Sequence, residues 1–181
     1  MTKTEAVQFL KYKILLNEIH QQTSFLEELH HKNMKCRNGC DLCCIDFSIF
    51  PVEFYFILSK LKKKNFETEI GQDSRNEICV FLKNGSCAIY QYRPIMCRTH
   101  GLPLLYANDN SEFELSACEL NFTDFDFDDF TYENTLPQDK YNSKLFMLNR
   151  EFVADFQDKK YSEMDLIPLK ELRKHLLKTE K

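Results

Sequence analysis

The sequence predicts an α+β protein in which a small cysteine-rich core with short β-hairpins is flanked by N-terminal and C-terminal helices. Apolar residues recur at intervals of three and four near both ends of the chain, which is typical of amphipathic helices. The segment between them carries hairpin signals and holds all eight cysteines, from position 36 to position 118. We expect a single domain over residues 1–181, with a core at 36–118 and an acidic loop and C-terminal helical segment at 119–181.

Four helices are predicted: over about residues 4–32, from Pro51 to the lysine run at 60–64, over about 137–157, and after Pro168. The fixed φ of Pro51 suits the first position of a helix. The lysine run is expected to be a solvated helix end, where cations meet the negative end of the helix dipole, rather than a nucleic-acid patch. The apolar faces predicted for the first helix consist of Val7, Leu10 and Ile14, and of Phe9, Tyr12, Leu16 and Ile19.

Two hairpins are predicted. The first covers residues 78–90, where Asn84-Gly85 separates two apolar runs, and Asn-Gly is a strong signal for a tight hairpin turn. The second covers 102–115 and turns at 108–111, with Pro103 expected to restrict its first strand to a sheet edge. Between residues 121 and 134 aspartates alternate with phenylalanines, which predicts an acidic loop pinned by aromatic side chains.

Composition narrows the classes of function. The formal charge of −4 and the pI near 5.8 argue against a protein dominated by phosphate contacts, so no nucleic acid is indicated. The N-terminus lacks the pattern of a secretory signal, and no apolar run approaches the roughly 20 residues of a membrane-spanning helix. We therefore expect a cytoplasmic protein without a membrane partner. In a reducing compartment, many cysteines favour metal ligation over disulfides.

The cysteines form a pattern that predicts a metal site, either two four-thiolate sites or one cluster with further structural thiols: Cys36, Cys40, Cys43, Cys44, Cys79, Cys87, Cys97 and Cys118. The first four read C-x3-C-x2-C-C, and Gly39 lets the chain turn so that successive sulfurs face one centre. Such closely spaced cysteines form a half-site that distant cysteines complete. Adjacent side chains in an extended chain point to opposite sides, so Cys43 and Cys44 favour two sites or a polynuclear cluster. Zinc, iron and an iron–sulfur cluster all remain open.

Residues beside the cysteines are expected to support the centre. Arg93 and Arg98 lie close in sequence to Cys97 and can offset the negative charge of bound thiolates, as can Arg37 beside Cys36. Pro94 is expected to open a helical turn that contains Cys97. His100 is a candidate imidazole ligand, or otherwise a group at the surface or around the centre.

Other uses of the cysteines fit the sequence less well. Disulfides would require an oxidising compartment. The spacing of Cys36, Cys40 and Cys43 also fits the radical S-adenosylmethionine signature, but the chain has too few strands for the barrel of those enzymes. A redox Cys-x-x-Cys in a βαβ setting is not found. A calcium site in the acidic loop lacks the glycine and the spacing of the hand-type loop.

The cysteine segment resembles the YkgJ-like cysteine-cluster family (CxxCxxCC), whose members are described as zinc- or iron-chelating domains. The resemblance rests on the C-x3-C-x2-C-C group, on Cys79 with the run from Gly85 to Tyr90, and on the run from Tyr92 to Arg98. It implies metal ions as partners and the eight cysteines as ligands. Some related proteins are described as iron–sulfur oxidoreductases or protein methylases, so an enzyme that uses such a cluster is the alternative. The sequence identifies no substrate or protein partner.

Overall fold

The computed structural model describes residues 3–37, 39–64, 66, 78–110 and 112–177. It has the predicted α+β architecture, with helices at both ends of the chain and small sheets of short strands between them. The predicted helices are confirmed, and a short additional one contains Cys97, as Pro94 predicts. The helices are α1 (Lys3–Leu29), α2 (Pro51–Lys63), α3 (Ile95–Thr99), α4 (Gln138–Ala154) and α5 (Glu171–Leu177).

The strands are short and form small sheets. Two of the sheets are antiparallel pairs, and the third has three strands with an antiparallel and a parallel neighbour on either side of its central strand. The pairs are β1 (Ser48–Ile49) with β7 (Ile167–Pro168) and β2 (Leu82–Lys83) with β3 (Ser86–Cys87); the larger sheet is ordered β5 (Phe113–Ser116), β4 (Leu104–Ala107), β6 (Leu136–Pro137). Both predicted hairpins are confirmed. No helix in the described part of the chain is long and apolar enough to cross a membrane.

The chain divides into two compact units. The first unit comprises Met1–Tyr12, Asn38–Pro94 and Leu148–Lys181, and the second comprises Lys13–Arg37 and Ile95–Met147. Helices α1 and α4 each contribute to both. The organisation of 1–181 as a single domain stays a prediction.

Aromatic packing dominates the core of the first unit. The ring of Phe56 makes edge contacts with Phe9 and Tyr12, and Phe152 stacks on Phe9 with the ring centroids 5.9 Å apart. The Tyr12 hydroxyl donates to the carboxylate of Glu53 over 2.8 Å, and both side chains are buried. Helix α2 is buried over most of its length, so its first residue fixes the end of the cysteine loop that precedes it.

In the second unit, His30 ties the end of α1 to the acidic loop. Its ring lies edge-on to Phe122 and Phe125, and its Nε2 is 2.7 Å from the carbonyl oxygen of Asn134. Phe130 packs on the same two phenylalanines. The expected pinning of this loop by aromatic side chains is therefore confirmed, and it leaves the aspartates of the loop at the surface.

Two predictions about local environment were wrong. Strand β4 is the central strand of its sheet, because Pro103 precedes the first paired residue and removes no donor from the ladder. On α1, the face of Val7, Leu10 and Ile14 is exposed, with 47%, 58% and 59% of each side chain accessible, respectively. A helix buries the one stripe that meets its neighbours, and that stripe carries Tyr12, Leu16 and Ile19.

Candidate metal centre

All eight cysteines are free thiols, and the two units divide them. The first unit contains Cys40, Cys43, Cys44, Cys79 and Cys87, and the second contains Cys36, Cys97 and Cys118. Sequence spacing did not indicate this division, because Cys36 and Cys40 stand only four positions apart on the two sides of a unit boundary.

Backbone pairing holds two cysteines of the first unit opposite each other. Ile45 and Ile78 form an antiparallel bridge, and the Cys79 amide donates to the Cys44 carbonyl oxygen over 3.0 Å. In that register the backbones of Cys44 and Cys79 are opposed. The pairing therefore joins the adjacent-cysteine loop to the start of the hairpin.

The hairpin turn brings Cys87 and Cys40 into the same region. Asn84 and Gly85 adopt positive φ angles of 51° and 72°, as a two-residue type I′ turn requires, and Leu82 pairs with Cys87. A Cβ atom on Gly85 would lie 3.5 Å from the Cα of Gly39, so the tip of the hairpin packs on the turn that precedes Cys40.

The thiols of Cys44, Cys79 and Cys87 are partly buried, and they lie close enough together to influence one another. Burial raises the pKa of Cys44 to about 12, and the charges of Cys43, Cys79 and Cys87 act in the same direction. Burial is also the main cause that raises the pKa of Cys79 and of Cys87. Without a cation these thiols hold their protons at neutral pH, and a bound metal ion would favour the thiolate form.

Donor groups already face two of these sulfurs. The backbone amide of Phe81 lowers the pKa of the Cys79 thiol and that of Ile89 lowers the pKa of the Cys87 thiol, while the Leu82 amide donates to the Cys79 carbonyl oxygen over 3.0 Å. The positive charge of Arg93 also lowers the pKa of Cys87. Amide donors and a cation are the groups that stabilise thiolate ligands.

Arg93 is held in place next to Cys87. Its guanidinium lies 3.7 Å from the centroid of the Tyr90 ring, and its Nη1 donates to the Tyr90 carbonyl oxygen over 3.1 Å. That Arg93 offsets the charge of bound thiolates stays a prediction, and its lowering of the Cys87 pKa supports it. Arg98 lies on α3 beside Cys97, whereas His100 follows the helix and is exposed.

In the second unit the buried side chain of Asn121 organises the surroundings of Cys36. Its Nδ2 donates to the Cys36 sulfur over 3.3 Å and to the Gly101 carbonyl oxygen over 2.7 Å, while its Oδ1 accepts from the Lys35 amide over 2.7 Å. Its own backbone amide donates to the carbonyl oxygen of Cys118. Asn121 therefore connects the segments that carry Cys36 and Cys118 with the turn that follows Cys97.

Gly101 lies against the same sulfur. Its φ is +95°, and a Cβ atom built on it would stand 2.8 Å from the sulfur of Cys36, which is closer than real Cβ contacts allow. A Cβ atom at this position would displace the thiol of Cys36. Sequence reasoning missed both Gly101 and Asn121; their signals were a glycine four positions after Cys97 and an asparagine three positions after Cys118.

Replacement of Asn121 by leucine, which has a similar size, is expected to destabilise the protein by about 2–4 kcal/mol, because the Lys35 amide and Gly101 carbonyl lose a buried partner. Urea unfolding of the metal-free protein measures the change. The exposed Asn110 gives a matched control, and Asn110→Leu is expected to shift the midpoint little. Equal shifts for the two variants would contradict the role assigned to Asn121.

The donor set fits zinc or iron, for which cysteine thiolates are favoured ligands. Within the described ranges, no three histidine, cysteine, aspartate or glutamate side chains are grouped closely enough to hold a metal ion. The backbones of Cys44 and Cys79 are nonetheless joined by a hydrogen bond. Rotation about χ1 can change the position of either sulfur while this backbone hydrogen bond is kept.

Comparison with known proteins adds a family match. Residues 35–120, just under half of the chain, match the family model CxxCxxCC, described as "Putative zinc- or iron-chelating domain". The match confirms the resemblance found from the cysteine motifs, and it contains all eight cysteines. No curated protein and no solved structure matches the chain.

Proposed function

We propose that this chain, whose residues 35–120 match the CxxCxxCC family, binds zinc or iron through its cysteine thiolates. The observation that carries the proposal is the backbone pairing of the first unit. Bonds between residues 44 and 79, the pairing of 82 with 87, and the packing of Gly85 on Gly39 gather cysteines from distant parts of the sequence. Such preorganisation lowers the entropic cost of assembling a site around an ion.

The chemistry of this region supports a cation. The thiols of Cys43, Cys44, Cys79 and Cys87 lie near enough for each charge to oppose ionisation of Cys44. A divalent ion replaces that repulsion with attraction to every thiolate at once. The amides that face Cys79 and Cys87, together with Arg93, spread the remaining negative charge.

We also propose the three cysteines of the second unit as ligands. Cys36 accepts a hydrogen bond from Asn121, an arrangement in which an outer group orients a ligand, and Cys97 and Cys118 belong to the segments that Asn121 connects. We propose Arg93, Arg98 and His100 as groups around the metal rather than ligands. We also propose a reducing, cytoplasmic location, because ligation requires thiols that are not oxidised.

Anaerobic purification, followed by elemental analysis, a sulfide assay and a visible spectrum, tests the proposal. A colourless protein with bound zinc, or a protein with bound iron, supports it. Bound iron with acid-labile sulfide and a brown colour would identify the centre as an iron–sulfur cluster. That result would favour the alternative function, an oxidoreductase or protein-modifying enzyme. A folded protein that binds neither metal, or one that carries disulfides in reducing cells, would overturn it.

A further inference from the structure

The short segment of residues 44–49 is hydrogen-bonded at both of its ends. At its beginning, the Cys79 amide donates to the Cys44 carbonyl oxygen over 3.0 Å. At its end, Ser48 and Ile49 form strand β1, which pairs with strand β7 near the C-terminus. All of these residues belong to the first unit. The segment that follows the adjacent cysteines is therefore held by two parts of the chain that are far apart in sequence.

The C-terminal contact extends beyond the paired strands. The Leu169 amide donates to the Phe47 carbonyl oxygen over 2.8 Å. The next residue, Lys170, places its Nζ 2.9 Å from Oδ2 of Asp46. Each residue from 46 to 49 thus has a partner between positions 167 and 170. Because a partly exposed ion pair contributes little by itself, the backbone pairing is the main connection.

Residues 167–177, which we call the C-terminal strap, are anchored on helix α2. Helix α5, which forms most of the strap, packs on α2, and the ring of His175 lies edge-on to Phe54 with the centroids 5.4 Å apart. The apolar side of the strap consists of three buried leucines: Leu169, Leu172 and Leu176. The strap therefore connects the core of the first unit with the segment that follows Cys44.

We propose that the C-terminal strap controls the metal affinity of the first unit by fixing residues 44–49. This inference rests on the proposed function, in which Cys44 is a ligand. With the strap in place, the segment is ordered before an ion binds. With the strap detached, the segment would have to become ordered on binding, and this loss of conformational entropy weakens binding. The strap lies outside residues 35–120, so a part of the chain beyond the family match acts on a segment within it.

The proposed coupling is reciprocal, because a ligand that binds one conformation more tightly also stabilises that conformation. Zinc bound to the first unit must therefore hold the strap on the segment. The Leu169 amide reports this effect, because its hydrogen exchanges with solvent when its bond to the Phe47 carbonyl oxygen opens. A strap that only contributes to the stability of the fold would open at the same rate with and without zinc.

Hydrogen exchange of the reduced full-length protein, metal-free and zinc-loaded, tests the inference. We expect zinc to slow exchange of the Leu169 amide at least about tenfold, within the usual range of coupling between two sites. The Lys64 amide, which is bonded to the Leu61 carbonyl oxygen at the end of α2, is the control and is expected to exchange at an unchanged rate.

An unchanged rate at Leu169 with zinc bound overturns the inference and leaves the proposed function standing. Equal slowing of the Leu169 and Lys64 amides indicates general stabilisation and also overturns it. A wild type that binds neither zinc nor iron overturns both the inference and the proposed function.

A charge on the buried side of the strap gives a second test. Leu172→Asp is expected to detach the strap, because position 172 is fully buried and an unpaired charge there is costly. Its zinc affinity, measured by anaerobic competition with a chelator, is expected to fall at least about tenfold. Lys174→Asp places the same residue on the exposed side of α5 and is expected to stay within about twofold of the wild type.

Equal zinc affinities in Leu172→Asp and Lys174→Asp refute control of the site by the strap. Exchange at the Leu169 amide of the wild type decides the question if Leu172→Asp does not fold.

Discussion

Serine in place of Cys79 is expected to weaken zinc binding on the order of 100-fold. Structural zinc sites contribute roughly 10–16 kcal/mol, so each of four ligands averages about 3 kcal/mol, and about 1.4 kcal/mol is a factor of ten. The backbone of Cys79 is hydrogen-bonded to that of Cys44, so a hydroxyl at this position takes the place of a thiol that is already held next to another cysteine. Anaerobic competition with a chromophoric chelator at fixed pH measures the affinity.

Leu42 supplies the matched control for this prediction. It lies in the same loop, between Cys40 and Cys43, and its side chain is 69% exposed. Leu42→Ser also introduces a hydroxyl and is expected to leave zinc affinity within about twofold of the wild type, as for most surface substitutions. A Cys79→Ser protein that binds zinc as tightly as the Leu42→Ser protein would remove Cys79 from the ligand set.

Alanine at Gly101 is expected to destabilise the protein by about 2–5 kcal/mol. The left-handed backbone costs a non-glycine residue about 1–2 kcal/mol, and forced overpacking costs a further 1–3 kcal/mol or so. The overpacking arises because the new Cβ would stand 2.8 Å from the sulfur of Cys36 and 3.4 Å from the Nδ2 of Asn121. Urea unfolding of the metal-free protein measures the free-energy change.

Substitution of Gly39 separates the cost of the left-handed backbone from the cost of overpacking. Its φ of +93° nearly equals that of Gly101, but a Cβ atom there would have no neighbour within 4 Å. Gly39→Ala is therefore expected to cost about 1–2 kcal/mol, the backbone contribution alone. If the two alanine variants lose the same stability, the close contact between Gly101 and Cys36 does not constrain the protein.

Local sequence signals predicted the parts of this fold that depend on local physics. Asn84-Gly85 formed the predicted turn because positive φ at both positions suits these residues. Pro51 began α2, and the heptad-like stripe around Tyr141 and Leu148 formed α4. The environment of α1 was not predicted, because Val7 and Ile14 are as apolar as the residues that are buried.

The candidate site likewise combines features that the sequence predicted with features that it did not predict. The cysteine spacing and the family motifs predicted a metal site made of thiols; that these cysteines are the ligands stays a prediction, and the burial of Cys44 supports it. Asn121 belongs to no recognisable motif. Its surroundings arise from contacts across 85 positions with Cys36, and no local pattern encodes such contacts.

The sequence by itself determined the α+β class, the helices, both hairpins and the thiol-rich composition of the site, because periodicity, turn chemistry and residue type act over short stretches of chain. Only the tertiary structure decided which cysteines share a unit, that Cys44 is opposite Cys79, and that Gly101 lies against Cys36. These facts depend on strand register and on the packing of segments far apart in sequence. A change of one residue in register would turn Cys79 to the other face, and the composition of the chain would be the same.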